Sequence, residues 1–470
     1  MALARIARMR YTEPMPRRLP RILWILLVAI AACSPRGASG PPGLLLISLD
    51  TTRSDHLSVY GYPRDTSPEL DALARQGVRF AAAYSASAST GPSHATLFTS
   101  LHPLRHGVLK NGLPLADERE TLAERLRAHG FQTAAVVGSF VLDAKFGFAQ
   151  GFDLYDDDFA PEEATVTVSE WEGHEVPGSF DRRGDHTTRR ALRWLREARD
   201  PARPFFLFVH YFDPHLSYAP PEPFATRFEA ELPAAASRLD RLIARYDGEI
   251  AFVDHAVGEL LEGLEALGLA GTTLVIVSGD HGEGLMQHGM LGHGVHLYEE
   301  AVRVPLLLRW PGRLPRRRTI SEPVATVDIA PTALELLGLG PQSGLEGESL
   351  APAARGEGHL DGERPIHLFR RPYQSAWVAD LGRLYVNGTL LGIRQGRWKY
   401  IEGDAVKTRE LYDLEADRPE RRNLVAAHPD KVRELAGRLE KWRRAQGAAP
   451  EAADLSPEDR EALRALGYVD

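Results

Sequence analysis

Residues 43–50 read Gly-Leu-Leu-Leu-Ile-Ser-Leu-Asp, an unbroken apolar run that stops at an acid. So short a run without polar alternation describes a strand buried on both faces, as in a parallel sheet. Thr273–Asp280 (TLVIVSGD) repeats the pattern and passes into His281, and Pro204–His210 (PFFLFVH) ends in a histidine. Thr133–Gly138, Pro305–Arg309 and a short run to Phe80 add further strands. Between them, helical patterns cover Pro68–Gly77, Thr121–His129 (stopped by Gly130), Arg190–Arg199, Ile250–Leu267 and Thr332–Leu336. Strand and helix in alternation predict an α/β fold, a doubly wound sheet with helices on both faces.

The chain around this pattern has 470 residues, 43% hydrophobic and 26% charged, enough apolar material for a large core. Disorder, collagen and a multi-span membrane protein are excluded as descriptions of the whole. Net charge is −8, yet residues 1–32 hold six Arg and one Glu and so carry +5, leaving −13 on the remainder. An acidic body argues against nucleic-acid binding, which needs Lys and Arg to displace phosphate counterions. A single cysteine excludes an intrachain disulfide framework and a Cys-rich metal site.

That cysteine has a context of its own. Arg17, Arg18 and Arg21 precede the apolar run Ile22–Ala32, too short to span a bilayer comfortably, and Ile30-Ala31-Ala32-Cys33 follows. The tetrapeptide resembles a bacterial lipobox, which implies lipidation at Cys33 and a membrane-anchored lipoprotein of the cell envelope, facing away from the cytoplasm. An ordinary signal peptide with an accidental Cys is the plainer alternative. The chain thus divides into a leader over 1–32, a linker over 33–42, a large α/β domain over 43–345, a smaller subdomain over 346–445 and a helical tail over 446–470. Short β-like runs at Ile366–Phe369, Leu384–Val386, Leu390–Arg394 and Trp398–Ile401, then a helix over Pro429–Gln446, give the subdomain its α+β texture. Ser456–Asp470 reads as a final helix.

In α/β sheets ligands gather beyond the carboxyl ends of the strands. Here those ends carry Asp50, His210 and Asp280-His281, donors suited to a hard-to-borderline divalent cation. A single strand-ending Asp would be read only as a cap; Asp280-His281-Gly282 puts two metal-competent side chains side by side. In Ser85–Val108, Pro92 suits a first helical turn, which places Thr90 just before a helix N-terminus, facing free N–H groups. A hydroxyl there is either a nucleophile stabilised as an alkoxide or simply an N-cap.

Taken together these motifs resemble the sulfatase family of the alkaline-phosphatase superfamily. The matching stretches are Asp50-Thr-Thr-Arg-Ser-Asp-His-Leu-x-x-Tyr-Gly-Tyr62, Thr90-Gly-Pro-Ser-His-Ala-Thr-Leu-Phe-Thr99, His106-Gly-Val, Asp213-Pro-His215 and Asp280-His-Gly-Glu283. Gly292-His293-Gly, Leu297-Tyr-Glu-Glu300, Arg303-Val-Pro-Leu-Leu-Leu308, Asp328-Ile-Ala-Pro-Thr332 and Leu411-Tyr-Asp-Leu…Asn423-Leu follow in order, from about residue 43 to about 445. The resemblance implies a mixed sheet with a smaller C-terminal subdomain and a metal-dependent hydrolase of sulfate or phosphate esters.

Departures from the family pattern share a direction. The family carries Cys or Ser, matured to formylglycine, at the head of a Cys/Ser-x-Pro-x-Arg motif; here that position is Thr90, and the Arg position is His94. Thr is no substrate for that maturation, so no formylglycine is expected. A Lys-x-His pair is missing after Thr133–Gly138, and His293 stands where many relatives have Lys. The resemblance then implies a one-ion shell of Asp50, Thr90, Asp280 and His281 for Ca, Mn or Zn, as in the Thr-nucleophile branch of the superfamily. It makes Thr90, His94, His215 and His293 the candidate catalytic residues. His215 and His293 are candidates to bind the transferred group's oxygens, protonate the leaving oxygen or help hold a second metal; a plain loop hydrogen bond is the alternative for His215. The expected course is double displacement: attack by Thr90 Oγ1 on sulfur or phosphorus, then release to water or to another alcohol. A phospho- or sulfo-transferase of envelope glycans or lipids, and a binding protein on a decayed fold, are the competing readings.

Overall fold

The computed structural model describes residues 40–166, 168–373, 388–403 and 408–447. The leader, Cys33, the run Leu384–Val386 and the tail from Ser456 lie outside the described residues.

Eight strands form the central sheet: β1 (Gly43–Leu49), β2 (Val78–Phe80), β3 (Gln132–Val136), β4 (Leu154–Asp156), β5 (Phe205–Tyr211), β6 (Thr273–Gly279), β7 (Leu306–Arg309) and β8 (Arg318–Ile320). Their spatial order is β8-β2-β7-β6-β1-β5-β3-β4. Only β7 runs against the rest, pairing antiparallel with β6 and β2. The most apolar strand, β1, lies in the middle with every residue buried, in register with β5 on one side and β6 on the other, so Leu49 pairs with Tyr211 and Gly279. Side chains alternate across the pleat. Leu44, Leu46, Phe206, Phe208, Leu274 and Ile276 fill one face, while Leu45, Ile47, Leu207, Val209, Val275 and Val277 fill the other.

Helices cover both faces. They are α1 (Pro68–Arg75), α2 (Thr90–Thr99), α3 (Leu122–Ala128), α4 (Gly184–Arg193), α5 (Arg238–Ala266) and α6 (Ile329–Leu336). Helices α1, α4 and α5 pack on the second face, and α2, α3 and α6 on the first. The expected starts of α4 and α5 are corrected. α4 begins at Gly184 rather than Arg190, and its inward positions include Thr187 and Thr188, which an apolar period does not register. α5 begins at Arg238 rather than Ile250, behind a Ser237–Asp240 capping box.

The C-terminal part is an antiparallel meander of β9 (Ile366–Tyr373), β10 (Gly388–Gln395), β11 (Trp398–Gly403) and β12 (Arg409–Asp413), followed by α7 (Pro429–Ala445). Val432, Leu435 and Leu439 of α7 pack on Ile393, Tyr400 and Leu411. The other face, with Leu368, Leu390 and Ile401, packs against Tyr84, Leu297 and Tyr298 of the larger part.

Candidate active site

Because β1, β5 and β6 are parallel neighbours in one register, the residues that follow them emerge together. Asp50, His210, Asp280 and His281 are fully buried there. Asp50, Asp280 and His281 each offer a ligand atom within 4.8 Å of the others. Asp280 Oδ1 accepts from the backbone N–H of Thr51 (3.1 Å) and of His281 (2.6 Å). That turns its other oxygen, Oδ2, to 3.4 Å from His281 Nε2, where it has no hydrogen-bond donor. Asp50 Oδ1 is equally buried and without a donor, while Oδ2 faces His210 Nε2 at 3.2 Å. His210 Nδ1 accepts from the Gly138 N–H at 3.4 Å, so its Nε2 carries the proton and donates to Asp50.

Burial pushes the Asp50 and Asp280 carboxyls far above the usual carboxylate range, and Asp50 pushes Asp280 further. Burial likewise pushes His281 well below its ordinary value, with His293 adding to the effect. Two inward carboxylate oxygens and a neutral imidazole nitrogen, all dry, form a donor set that lacks a positive charge. His281 Nδ1–H donates to the Gly282 carbonyl at 2.9 Å, leaving the Nε2 lone pair inward. Gly282 is required for packing: a Cβ there would lie 2.0 Å from the Glu300 carbonyl oxygen.

Thr90 is the first residue of α2, with Ser89 as N-cap; the helix starts at Thr90 itself rather than just after it. Its Oγ1 lies 3.2 Å from His281 Nε2. The next N–H, of Gly91, donates to Asn111 Oδ1 at 2.8 Å. His94, one turn on, is fully buried; Nδ1 donates to the Thr90 carbonyl (2.8 Å), and Nε2 meets Ser48 Oγ (2.9 Å). With both nitrogens engaged inside the protein, His94 fastens the helix start to β1 and is absent from the cavity wall, contrary to its expected place among groups that meet substrate.

A cavity of about 340 Å³ opens over Thr90, with Ser89, Asn111, His215 and His293 beside it. His293 and His281 have ring centroids 4.6 Å apart, and His293 and His215 are 4.9 Å apart. His215 stacks on Phe212 and donates Nδ1–H to the Leu216 carbonyl at 2.6 Å, so its Nε2 is an acceptor. Burial, then His293, drives His215 down to about 3. His293 goes the other way: burial opposes protonation, but Glu283 (3.4 Å from Nδ1), Asp50 and Asp280 outweigh it. His215 and His293 both line the cavity. Asn111, Glu172 and Arg371 also line it and were not foreseen. Asn111 stands shortly after His106-Gly-Val, a faint signal; Arg371 comes from the C-terminal sheet, and only tertiary structure brings it here.

The motif over Asp55–Tyr62 has a structural use. His56 Nδ1 (2.8 Å), Tyr62 Oη (2.8 Å) and Arg64 Nη1 (2.6 Å) all converge on buried Asp247 of α5, tying the loop after β1 to the helix behind it.

Comparison with known proteins agrees with this geometry. The sulfatase family profile matches residues 42–339, and a second profile, "N-sulphoglucosamine sulphohydrolase, C-terminal", matches residues 287–445. The chain is 27% identical to N-acetylgalactosamine-6-sulfatase of Canis lupus familiaris over 395 residues, 74% of this chain and 72% of that protein. It is 24% identical to N-acetylglucosamine-6-O-sulfatase of Bacteroides thetaiotaomicron over 546 residues, 93% of each. A solved complex of a protein with its substrate D-glucosamine-2-N,6-O-disulfate shares the fold, with a TM-score of 0.71 at 20% identity over 88% of this chain and all of that one. The phosphonate monoester hydrolase of Agrobacterium radiobacter superposes with a TM-score of 0.68 at 25% identity, over 86% of this chain and 96% of that one. Sheet order, clustered strand-end ligands and a profile match over more than half the length lead to one conclusion: the chain belongs to the sulfatase family of ester hydrolases.

Proposed function

We propose that this protein hydrolyses a sulfate ester or its phosphorus counterpart through a covalent intermediate on Thr90. The observation that carries this reading is the Thr90 hydroxyl at a helix N-terminus, 3.2 Å from His281 Nε2 and beside two buried carboxylates whose inner oxygens have no donor. Asp50, Thr90, Asp280 and His281 would hold a divalent ion, and their orphaned oxygens fit one. Sulfatase family members use such ions. When bound, the ion supplies Lewis-acid screening of the transferred group's oxygens and a lower pKa for the hydroxyl beside it.

The residues do the rest. Helix α2 presents Thr90 with its β-branched χ1 restricted, so the oxygen is pre-aimed at the cavity. Thr90 Oγ1 loses its proton to solvent and bonds to sulfur or phosphorus as the bond to the leaving oxygen breaks. His293, biased toward its protonated form, gives that oxygen its proton. His215, held neutral with Nε2 as acceptor, is suited to orient the water that later frees Thr90. Two carboxylates would offset a divalent ion and Glu283 offsets His293, while Glu172 is shared by Arg371 at 3.4 Å and Lys110 at 4.0 Å.

The test is a side-by-side assay of aryl sulfate, aryl phosphate and phosphodiester with Mn²⁺, Zn²⁺ or Ca²⁺. Thr90→Ala should lower kcat/KM by about 10³-fold or more, and Thr90→Ser should retain part of the rate. A slow substrate should add about 80 Da to the peptide containing Thr90. Activity should not depend on a formylglycine-generating enzyme in the host. Full activity of Thr90→Ala would remove Thr90 from the chemistry.

A further inference from the structure

Beyond the reacting group, the cavity wall is apolar. Val141, Val166, Val168, Trp171, Phe180 and Phe212 line it. Phe212 and Phe180 have ring centroids 5.8 Å apart, and Phe180 and Trp171 are 5.5 Å apart, so the aromatic surface is continuous from the catalytic floor outward. Phe212 also carries His215 on its face, at 4.3 Å between centroids. Among the described residues, large exposed hydrophobics number four; one lines this cavity and two lie on the hairpin that precedes His293. Leu216 follows His215 and lines the cavity; Met286 and Leu291 belong to the hairpin that leads into His293.

Several polar groups along the wall are already committed, while Glu172 Oε2, buried without a donor, and His215 Nε2 remain to meet a ligand. Glu172 and Arg371 pair with each other, Asn111 Oδ1 accepts from Gly91, and His215 Nδ1–H is given to Leu216. A sugar ring entering here would leave most hydroxyls against carbon, each losing water without a replacement partner. An aryl or branched-alkyl group would instead bury apolar area against a preformed wall. We propose that the leaving group of the natural substrate is an apolar alcohol or phenol, seated on the wall from Phe212 to Trp171, rather than a free sugar. The inference names the substrate class of the site proposed above and rests on that reading.

Cyclohexylmethyl sulfate and glucose 6-sulfate test it, because both are primary-alcohol esters of similar size. Their binding to full-length Thr90→Ala protein in manganese buffer is measured by calorimetry, and kcat/KM is measured for both with wild type. The apolar ester should bind at least about 10-fold more tightly, the scale of the apolar area a ring buries here. Trp171→Ala should weaken it by about 5-fold while leaving the glucose ester within about 2-fold. Equal or tighter binding of glucose 6-sulfate, undetectable binding of the apolar ester, or equal loss for both on Trp171→Ala would overturn the inference. If Thr90→Ala does not fold, the wild-type kcat/KM ranking decides by the same thresholds. If the binding order holds but wild type turns over neither ester, the inference stands and the hydrolase reading falls.

Discussion

Asp280 performs three jobs, two with its carboxylate and one with its backbone carbonyl. Oδ1 takes two backbone N–H groups, which fix the side chain; Oδ2 faces His281 and the space shared with Asp50; and its carbonyl accepts from Ser93 Oγ at 2.6 Å, anchoring α2. One of those N–H groups belongs to Thr51, whose φ of +48° is unusual for a β-branched residue. Strain of this kind, of order 1–3 kcal/mol, persists where surrounding contacts over-determine it; here they are Asp280 and the Tyr246 hydroxyl, which donates to the Thr51 carbonyl at 2.7 Å. Adding Mn²⁺ or Ca²⁺ to metal-stripped protein should raise Tm, by an amount equivalent to about 2.7 kcal/mol at a hundred times Kd, and Asp280→Asn should abolish that rise together with most activity. Thermal scans and metal analysis after chelation check both. A second residue-scale prediction concerns His288 and Glu300, whose Nδ1 and Oε1 lie 2.5 Å apart. Burial works against both charges, but their pairing outweighs it, lowering Glu300 to about 2 and raising His288. Glu300 then contributes stability above its ordinary 4.5, lost as pH falls toward 2. His288 contributes below its ordinary 6.5, lost as pH rises through its raised value. His288→Gln should therefore depress Tm most at about pH 5.5 and progressively less in alkaline buffer, as differential scanning measurements across pH would show.

Helices here are held by one another as much as by their own caps. Pro68 marks the start of α1 in the sequence, and Ser67 occupies the N-cap position without a side-chain bond to it. The cap comes instead from α5: Asp254 accepts from the N–H groups of Glu69 and Leu70, both at 2.9 Å. Asp254→Ala should cost about 1–2 kcal/mol in urea unfolding, with Asp254→Asn intermediate because it keeps one acceptor. Sequence reading located α1 from Pro68 onward and α3 from an amphipathic run stopped by Gly130; the Thr121–Glu124 capping box is a finding of the structure. It placed the start of α5 twelve residues late, although Ser237-x-x-Asp240 and the helical spacing of Leu239, Leu242, Ile243 and Tyr246 were there to be read.

The two parts of the molecule are joined by a buried charge cluster as well as by apolar contact. Lys399 of β11, fully buried, meets Glu420 Oε1 at 2.9 Å and Glu299 Oε1 at 3.2 Å, while Tyr84 Oη donates to Glu299 Oε2 at 3.0 Å. Removing the cation leaves two carboxylates in a dry interface. Lys399→Met should destabilise the protein by about 3–5 kcal/mol, and adding Glu420→Gln should recover part of the loss; a double-mutant cycle in denaturant is the measurement. This join also brings Arg371 of β9 to the cavity, opposite Glu172.

Local pattern alone determined the buried strands, because a run such as Gly43–Leu49 has one low-energy setting, between two other strands. It also determined the acid-and-histidine strand ends, because a polar residue closing such a run must leave the core. Thr90 was legible at a helix start because Pro92 restricts where that helix begins. Tertiary structure decided which of these residues share a site and which only support it. Thr90 and His281 are 191 positions apart, and their contact exists because α2 is anchored at the end of β6, where Ser93 Oγ donates to the Asp280 carbonyl. His94 matched the motif of a substrate-facing residue, yet the rotation of α2 turns its ring to Ser48 and the Thr90 carbonyl. The apolar wall is assembled from Val141, Val166, Trp171 and Phe212, residues that no spacing rule relates, because a cavity is the space left between elements once they pack, not a property of any one of them.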